Sequence, residues 1–253
     1  MIFQLSAACG CVIGHVRKNN EDNFYFDGSS LPEENRGLSG CIVKKAYLEK
    51  ETLFGVFDGM GGEEYGEKAS FAAAETAKAK ADFNKRYTIG SRAFLTQLSH
   101  EMNQAVCRRQ RELFVSRMGP TAAMLLFVPD EVYACNLGDS RIYRLRDNEL
   151  SQISVDDVEH IPEGVHRKAG LTQFLGIPED ELALEPHIVK CELKRNDIYL
   201  ICSDGLTDMV SNLDLCMILR QHISVKQTVK HLLTSALHNG GRDNTTAIVI
   251  RID

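Results

Sequence analysis

The stretch "LFGVFDGMGG", residues 53–62, is an apolar run that stops at an acid and is followed by glycine at three of the next four positions. Such a run reads as a buried strand, and Asp58 at its end is costly to desolvate unless something pairs with it. An Asp-Gly pair commonly marks a hairpin. Here, as at Asp204-Gly205, the pair leads into a helical pattern instead of a returning strand, so a hairpin does not explain it.

The same placement of an acid recurs along the chain. Asp139 follows "VYACNLG", Asp204 follows "DIYLICS", and Asp243 lies in "GGRDNTTAIVI" just before a final strand. With "NNEDN" at 19–23 there are five acidic stations, and the evident basic residues near them are Arg17, Arg141 and Arg242. Five carboxylates brought together would repel one another and hold protons more tightly. Hard divalent cations resolve this: carboxylate, carbonyl and water oxygens suit Mg or Mn, and the stations offer no imidazole or thiolate. On this reading Gly59 lets the backbone approach and offer its carbonyl, while Gly61 and Gly62 clear room. A phosphate-binding P-loop is the rival, but the stretch lacks the Lys-Ser/Thr ending and puts an acid where phosphate would sit.

Outward from this stretch, strands are expected at 3–13, 23–26, 41–47, 53–57, 121–128, 131–137, 140–146, 150–153, 187–191, 197–203 and 245–252. Helices are expected at 63–83, 91–117, 213–221 and 225–238; the second sets Phe94, Leu98, Met102 and Ala105 on one face. Strands in runs and helices in runs imply an α+β fold of antiparallel sheets with helices stacked outside.

The net charge of -6, with no tryptophan and no sustained basic stripe, excludes a nucleic-acid surface; Arg108, Arg109 and Arg111 read as a solvated helix face. The eight cysteines are scattered and form no Cys-x-x-Cys pair, which fits reduced thiols in the cytoplasm. "MIFQLSAACGC" carries no Lys or Arg before Arg17 and reads as a strand, not as a signal peptide; no membrane association is expected.

Taken in order, "RKNNEDN", "VFDGMGG", "GPTAAML", "CNLGDSRIYRL", "ICSDGLTDMV" and "GGRDNTTAIV" resemble the metal-dependent Ser/Thr protein phosphatases of the PPM (PP2C) family, in its bacterial form. The resemblance runs from residue 17 to 249 and implies one domain over 1–253, an αββα sandwich with two metals in a cleft at one end of the paired sheets. It implies that Asp58 bridges two Mn2+ or Mg2+ ions and that Asp204 and Asp243 complete one of them. Glu21 and the Gly59 carbonyl would serve the other, with Asp22 close by. Asp139 with Asp204 would hold a looser third ion, and Arg17 would grip the phosphate. The reaction implied is attack by a metal-activated water on phosphoserine or phosphothreonine, with no covalent phosphoenzyme. The partners implied are phosphorylated proteins, with a Ser/Thr kinase in opposition, in signalling by a monomer.

Two features depart from the family pattern. Many members carry a histidine after the Asp-Gly as general acid, but Met60 has no proton to give, so the leaving alkoxide is expected to take its proton from a water held through Asp139. The flap stretch 154–186 is shortened, keeping "LTQFLG"; His160 and His166 within it read as solvated loop histidines.

Rival readings remain. Cys-x5-Arg, the mark of a cysteine phosphatase, occurs twice, from Cys11 to Arg17 and from Cys135 to Arg141, but neither is followed by an anion-binding helix. A calcium store is disfavoured because the acids lie far apart in sequence. A catalytically weak scaffold of the same fold is the alternative function, although such modules should lose their metal carboxylates.

Overall fold

The computed structural model describes residues 2–60, 65–81, 89–115, 117–162 and 169–253. Gly61, Gly62 and His166 lie outside the described residues.

One sheet contains β1 (Gln4–Val12), β3 (Ile42–Tyr47), β8 (Arg141–Arg146), β9 (Glu149–Gln152), β11 (Ile198–Cys202) and β12 (Thr245–Ile252), in the order β3-β1-β12-β11-β8-β9. The second contains β2 (Asp22–Phe26), β4 (Thr52–Met60), β6 (Ala122–Phe127), β7 (Glu131–Leu137) and β10 (His187–Glu192), in the order β10-β7-β6-β4-β2. The short β5 (Gly119–Pro120) pairs with the end of β4. The paired registers are antiparallel.

Strand alternation builds three apolar layers, because successive side chains point to opposite faces. Between the sheets lie Leu5, Ala7 and Cys9 of β1, Phe24 and Phe26 of β2, Phe54 and Val56 of β4, Tyr199 and Ile201 of β11, and Ile248 and Ile250 of β12. Phe54 meets Phe127 at 6.0 Å between ring centroids, and Phe127 meets Tyr199 of the opposite sheet at 5.5 Å, edge to face. Each such pair adds about 0.5–1.5 kcal/mol beyond the area it buries.

The helices α1 (Gly66–Lys80) and α2 (Ser91–Leu113) cover the second sheet, with Ala69, Ala73, Leu98 and Met102 buried against Phe57 and Met124. On the first sheet lie α3 (Asp204–Thr207), α4 (Asn212–Leu219) and α5 (Val225–His238). Ser224 begins α5 with a reciprocal capping box to Gln227. The result is a four-layer αββα sandwich, the α+β class expected.

Two boundaries differ from expectation in ways that matter for function, while the stretch after β9 is irregular as expected. β4 runs to Met60, so Asp58 and Gly59 are strand residues and not the turn after a strand. β2 starts at Asp22. Residues 154–162 and 169–186 form no strand or helix and are held by turns and an isolated bridge between Val158 and Leu171. Among the described residues no helix is long and apolar enough to cross a membrane.

Candidate active site

The inward-facing alternation that makes the apolar core continues by one more step at one end of the sandwich, and there it turns polar. Two positions beyond the last apolar residue stand Asp22 on β2, Asp58 on β4, Asn136 on β7, Ser203 after β11 and Thr246 on β12. Thr121 and Ser140 extend β6 and β8 in the same way, and their hydroxyl oxygens meet at 2.6 Å. Asp22 and Asp58 are direct partners in the β2–β4 register.

Asp22 is 1% exposed. Its Oδ2 accepts from Ser203 Oγ at 2.8 Å and from Thr246 Oγ1 at 2.7 Å, while its Oδ1 is buried without a hydrogen-bond partner. Burial pushes its carboxyl up to about 7 against the relief of those two hydroxyls, with Asp204 and Asp243 adding repulsion. Asp58 is raised well above the ordinary carboxylate range, first by desolvation, then by Asp204, Asp22 and Asp139. Asp58 also shares a hydrogen bond with Asp204, and its backbone N–H donates to Thr121 Oγ1 at 3.2 Å.

Glu21 and Gly59 converge beside the start of α1. Gly59 N–H donates to Glu21 O at 3.1 Å, and a Cβ on Gly59 would stand 2.2 Å from Gly66 O, so only glycine fits this approach. The Gly59 carbonyl oxygen and Glu21 Oε2 both lie 2.9 Å from the point a Cβ on Gly66 would occupy. Burial raises the Glu21 carboxyl, opposed by Arg17. Arg17, half exposed at the rim, donates from Nη2 to Asp243 Oδ2 at 2.7 Å.

The five stations therefore share one end of the fold. Among the described residues no three His, Cys, Asp or Glu side chains form a ready-made metal cage. Their carboxyls turn instead to protein partners: Asp243 to Arg17, Asp22 to two hydroxyls, Asp58 to Asp204. The donor set nonetheless suits hard divalent ions, since it is all oxygen and holds a buried carboxylate oxygen with no partner. The opposite end of the sandwich shows what a satisfied buried acid looks like. Asp197 takes Arg146 Nε and Nη2 at 2.7 and 2.6 Å and also Tyr199 Oη and Lys194 N–H.

Four residues that matter here were not singled out from sequence. Asn244 accepts from Glu21 N–H at 2.8 Å and donates to Ile13 O and Asn19 O, both at 2.9 Å, so it shapes the loop carrying Arg17 and Glu21. Ser203 and Thr246 hold Asp22, and Thr121 holds the Asp58 backbone. The signal available for them is the period-two step from apolar to polar at each strand end. The two Cys-x5-Arg matches lose their chemistry: burial pushes the Cys11 and Cys135 thiols up to about 12, the opposite of a nucleophilic thiolate.

A four-layer sandwich with acids gathered at one end is the architecture of a class of protein phosphatases. A family model for protein phosphatase 2C matches residues 45–239, and the chain belongs to that family. It is similar to the serine/threonine protein phosphatase PstP of Mycobacterium tuberculosis, 28% identical over 251 aligned residues. That alignment covers 93% of this chain but 43% of PstP, so the chain spans less than half of that relative's length. The serine/threonine phosphatase stp of Listeria welshimeri is 28% identical over 259 aligned residues, covering 94% of this chain and 92% of stp. Among solved structures, the catalytic domain of PstP in complex with two manganese ions is similar with a TM-score of 0.78 at 28% identity, covering 99% of both chains.

Proposed function

We propose that this chain is a single-domain, metal-dependent phosphatase acting on phosphoserine and phosphothreonine in proteins. The observation that carries the reading is the Asp22–Asp58 pair, set opposite in one ladder within reach of Asp204, Asp139 and Asp243, with Arg17 as the cation at the rim. Asp58, Asp204 and Asp243 would hold one divalent ion, and Asp58, Glu21 and the Gly59 carbonyl the other, with Asp22 behind them. Asp139 with Asp204 would hold a weaker third. A two-ion site is supported by the similar PstP catalytic domain, which was solved in complex with two manganese ions. When bound, such a pair of ions supplies a water nucleophile near neutral pH and neutralises charge on the phosphoryl group.

The chain's own residues do the rest. Arg17 can donate two parallel hydrogen bonds to phosphate oxygens, a geometry lysine cannot match. Asn244 holds the 13–21 loop so that Arg17 and Glu21 face the same cleft. Ser203 and Thr246 keep Asp22 Oδ2 occupied and leave Oδ1 buried without a hydrogen-bond partner. Met60 offers no proton to the leaving alkoxide. The substrates would be phosphorylated cytoplasmic proteins, in opposition to a Ser/Thr kinase, with the chain acting as a monomer.

The test is hydrolysis of a phosphothreonine peptide and of p-nitrophenyl phosphate, with and without Mn2+, by the parent and by Asp58→Asn. Manganese-dependent turnover by the parent that vanishes in the variant is expected. A parent inert toward both substrates in the presence of Mn2+ would favour a scaffold of the same fold.

A further inference from the structure

The loop that carries Asp139 is gripped on both sides by two consecutive acids from the shortened stretch after β9. Asp157, 6% exposed, accepts from Gly138 N–H at Oδ2 (2.9 Å), while its Oδ1 meets Gln173 Nε2 (3.1 Å) and His187 Nε2 (2.8 Å). Its backbone adds two ties, Asp157 N–H to Gly138 O at 3.1 Å and Thr172 N–H to Asp157 O at 2.9 Å. On the other side, Asp156 Oδ2 accepts from Arg141 Nε at 2.9 Å and Nη2 at 2.7 Å. Asp139 lies between the two grips.

His187 does not reach the reacting groups itself. It stands on β10, three strands from β4, so at about 4.8 Å per strand it is roughly 14 Å from Asp58 across the sheet. Proton transfer needs contact within about 3.2 Å or one bridging water. The imidazole therefore serves the Asp157 carboxylate, as Gln173 does.

We infer that Asp157 is a positioning residue: it fixes the Gly138–Arg141 loop, and Asp139 with it, to the "LTQFLG" segment and to β10. The segment is itself anchored. Leu175 N–H donates to Pro120 O at 2.9 Å, and the buried amides of Asn103 and Gln110 on α2 bind the backbone at Gly176 and Ile177. The shortened stretch thus acts as a brace that sets where Asp139 stands, and a misplacement on the order of 1 Å at such a point can cost about a hundredfold in rate. The catalytic half of this inference rests on the proposed role of Asp139; the structural half does not.

The experiment compares Asp157→Ala with Asp157→Asn, which keeps an acceptor for Gly138 N–H. Amide hydrogen exchange at 138–141 is expected to quicken about tenfold or more in the alanine variant and to recover in the asparagine variant. With phosphothreonine peptide and Mn2+, kcat should fall about tenfold with KM within about twofold, and Asn should restore most of it. Added to Asp139→Ala, Asp157→Ala should cost less than about a further twofold, since both act through one group. Unchanged exchange in Asp157→Ala, or an additive loss in the double variant, overturns the inference. If Asp157→Ala fails to fold, Gln173→Ala and His187→Ala each remove one tie at Oδ1; quickened exchange at 138–141 supports the brace and unchanged exchange in both refutes it. A parent inactive with Mn2+ would break the phosphatase reading instead, and the exchange data would still decide the brace.

Discussion

Asp22 and Asp58 face each other directly across the antiparallel β2–β4 ladder, both on the side between the sheets. Side chains so paired have Cβ atoms about 4.5–5.5 Å apart, and like charges there repel. The sandwich tolerates a buried acid at its other end because Arg146 grips Asp197; at this end Asp22 is held by two hydroxyls, Asp58 meets Asp204, and Asp243 meets Arg17 at the rim. A group of this kind sacrifices stability for a site.

Removing one charge should therefore stabilise the metal-free protein while removing its function. Asp58→Asn is expected to lower Mn2+-dependent hydrolysis of p-nitrophenyl phosphate by about a thousandfold or more, a loss on the order of 4 kcal/mol in transition-state stabilisation. Its melting temperature in EDTA should match or exceed the parent's, and the upward shift that Mn2+ gives the parent should disappear. A variant that melts lower in EDTA while staying active would contradict both halves.

The raised acids also set a pH dependence. Asp22 rises from 3.8 in the unfolded chain to about 7 in the folded one, and Asp58 moves in the same direction. A carboxyl with a raised folded pKa binds its proton more tightly when folded, so its stabilisation is complete below pH 3.8 and is lost as pH rises through about 7. Urea titrations in EDTA should show this part of the stability falling across that window. Mn2+ competes with the proton, so its stabilising effect should grow over the same range. A metal effect equal at both ends would count against cation binding by these groups.

Thr246 and Ser203 should matter through Asp22. Thr246→Val keeps the shape but removes one of the two hydroxyls on Asp22 Oδ2 and the contact with Cys11 Sγ at 3.1 Å. Loss of such an outer partner typically weakens metal binding about 10–100-fold. Calorimetric titration with Mn2+ checks this, and an unchanged affinity would remove Thr246 from the account.

Arg17 should separate substrate binding from metal binding. Arg17→Ala removes the forked donor for phosphate and also the cation that holds Asp243. KM for a phosphothreonine peptide is expected to rise about tenfold, in the range for a lost charge-assisted contact, while Mn2+ affinity stays level or increases. A fall in Mn2+ affinity with unchanged KM would reverse the assignment.

Much of this was legible in the chain. The apolar runs "LFGVF" and "IYLIC", bounded by turn residues, and the helical pattern of α2 gave nearly every element, since residue polarity, period and turn chemistry are local properties. α2 ends at Leu113 and not at 117 because Phe114 turns into the left-handed region, with a φ of 57°, and its N–H bonds Arg111 O. The acidic stations were legible as residue types placed where apolar runs end. Their hydroxyl and amide supports were not, because Ser203, Thr246 and Asn244 are unremarkable until strands distant in sequence lie side by side.

Sequence alone determined which faces could be buried, because strand period and residue polarity assign each side chain to a layer before any tertiary contact forms. It also placed an acid where each of several apolar runs ends, and so posed the question of what answers their charge. Only the tertiary structure decided which acids meet. Asp22 and Asp58 become neighbours through ladder register, Asp243 reaches Arg17 across 226 positions, and Asp157 finds Gly138 because an irregular stretch folds back on its loop. The physical reason is that long-range pairing depends on how sheets stack and register, which no local pattern encodes.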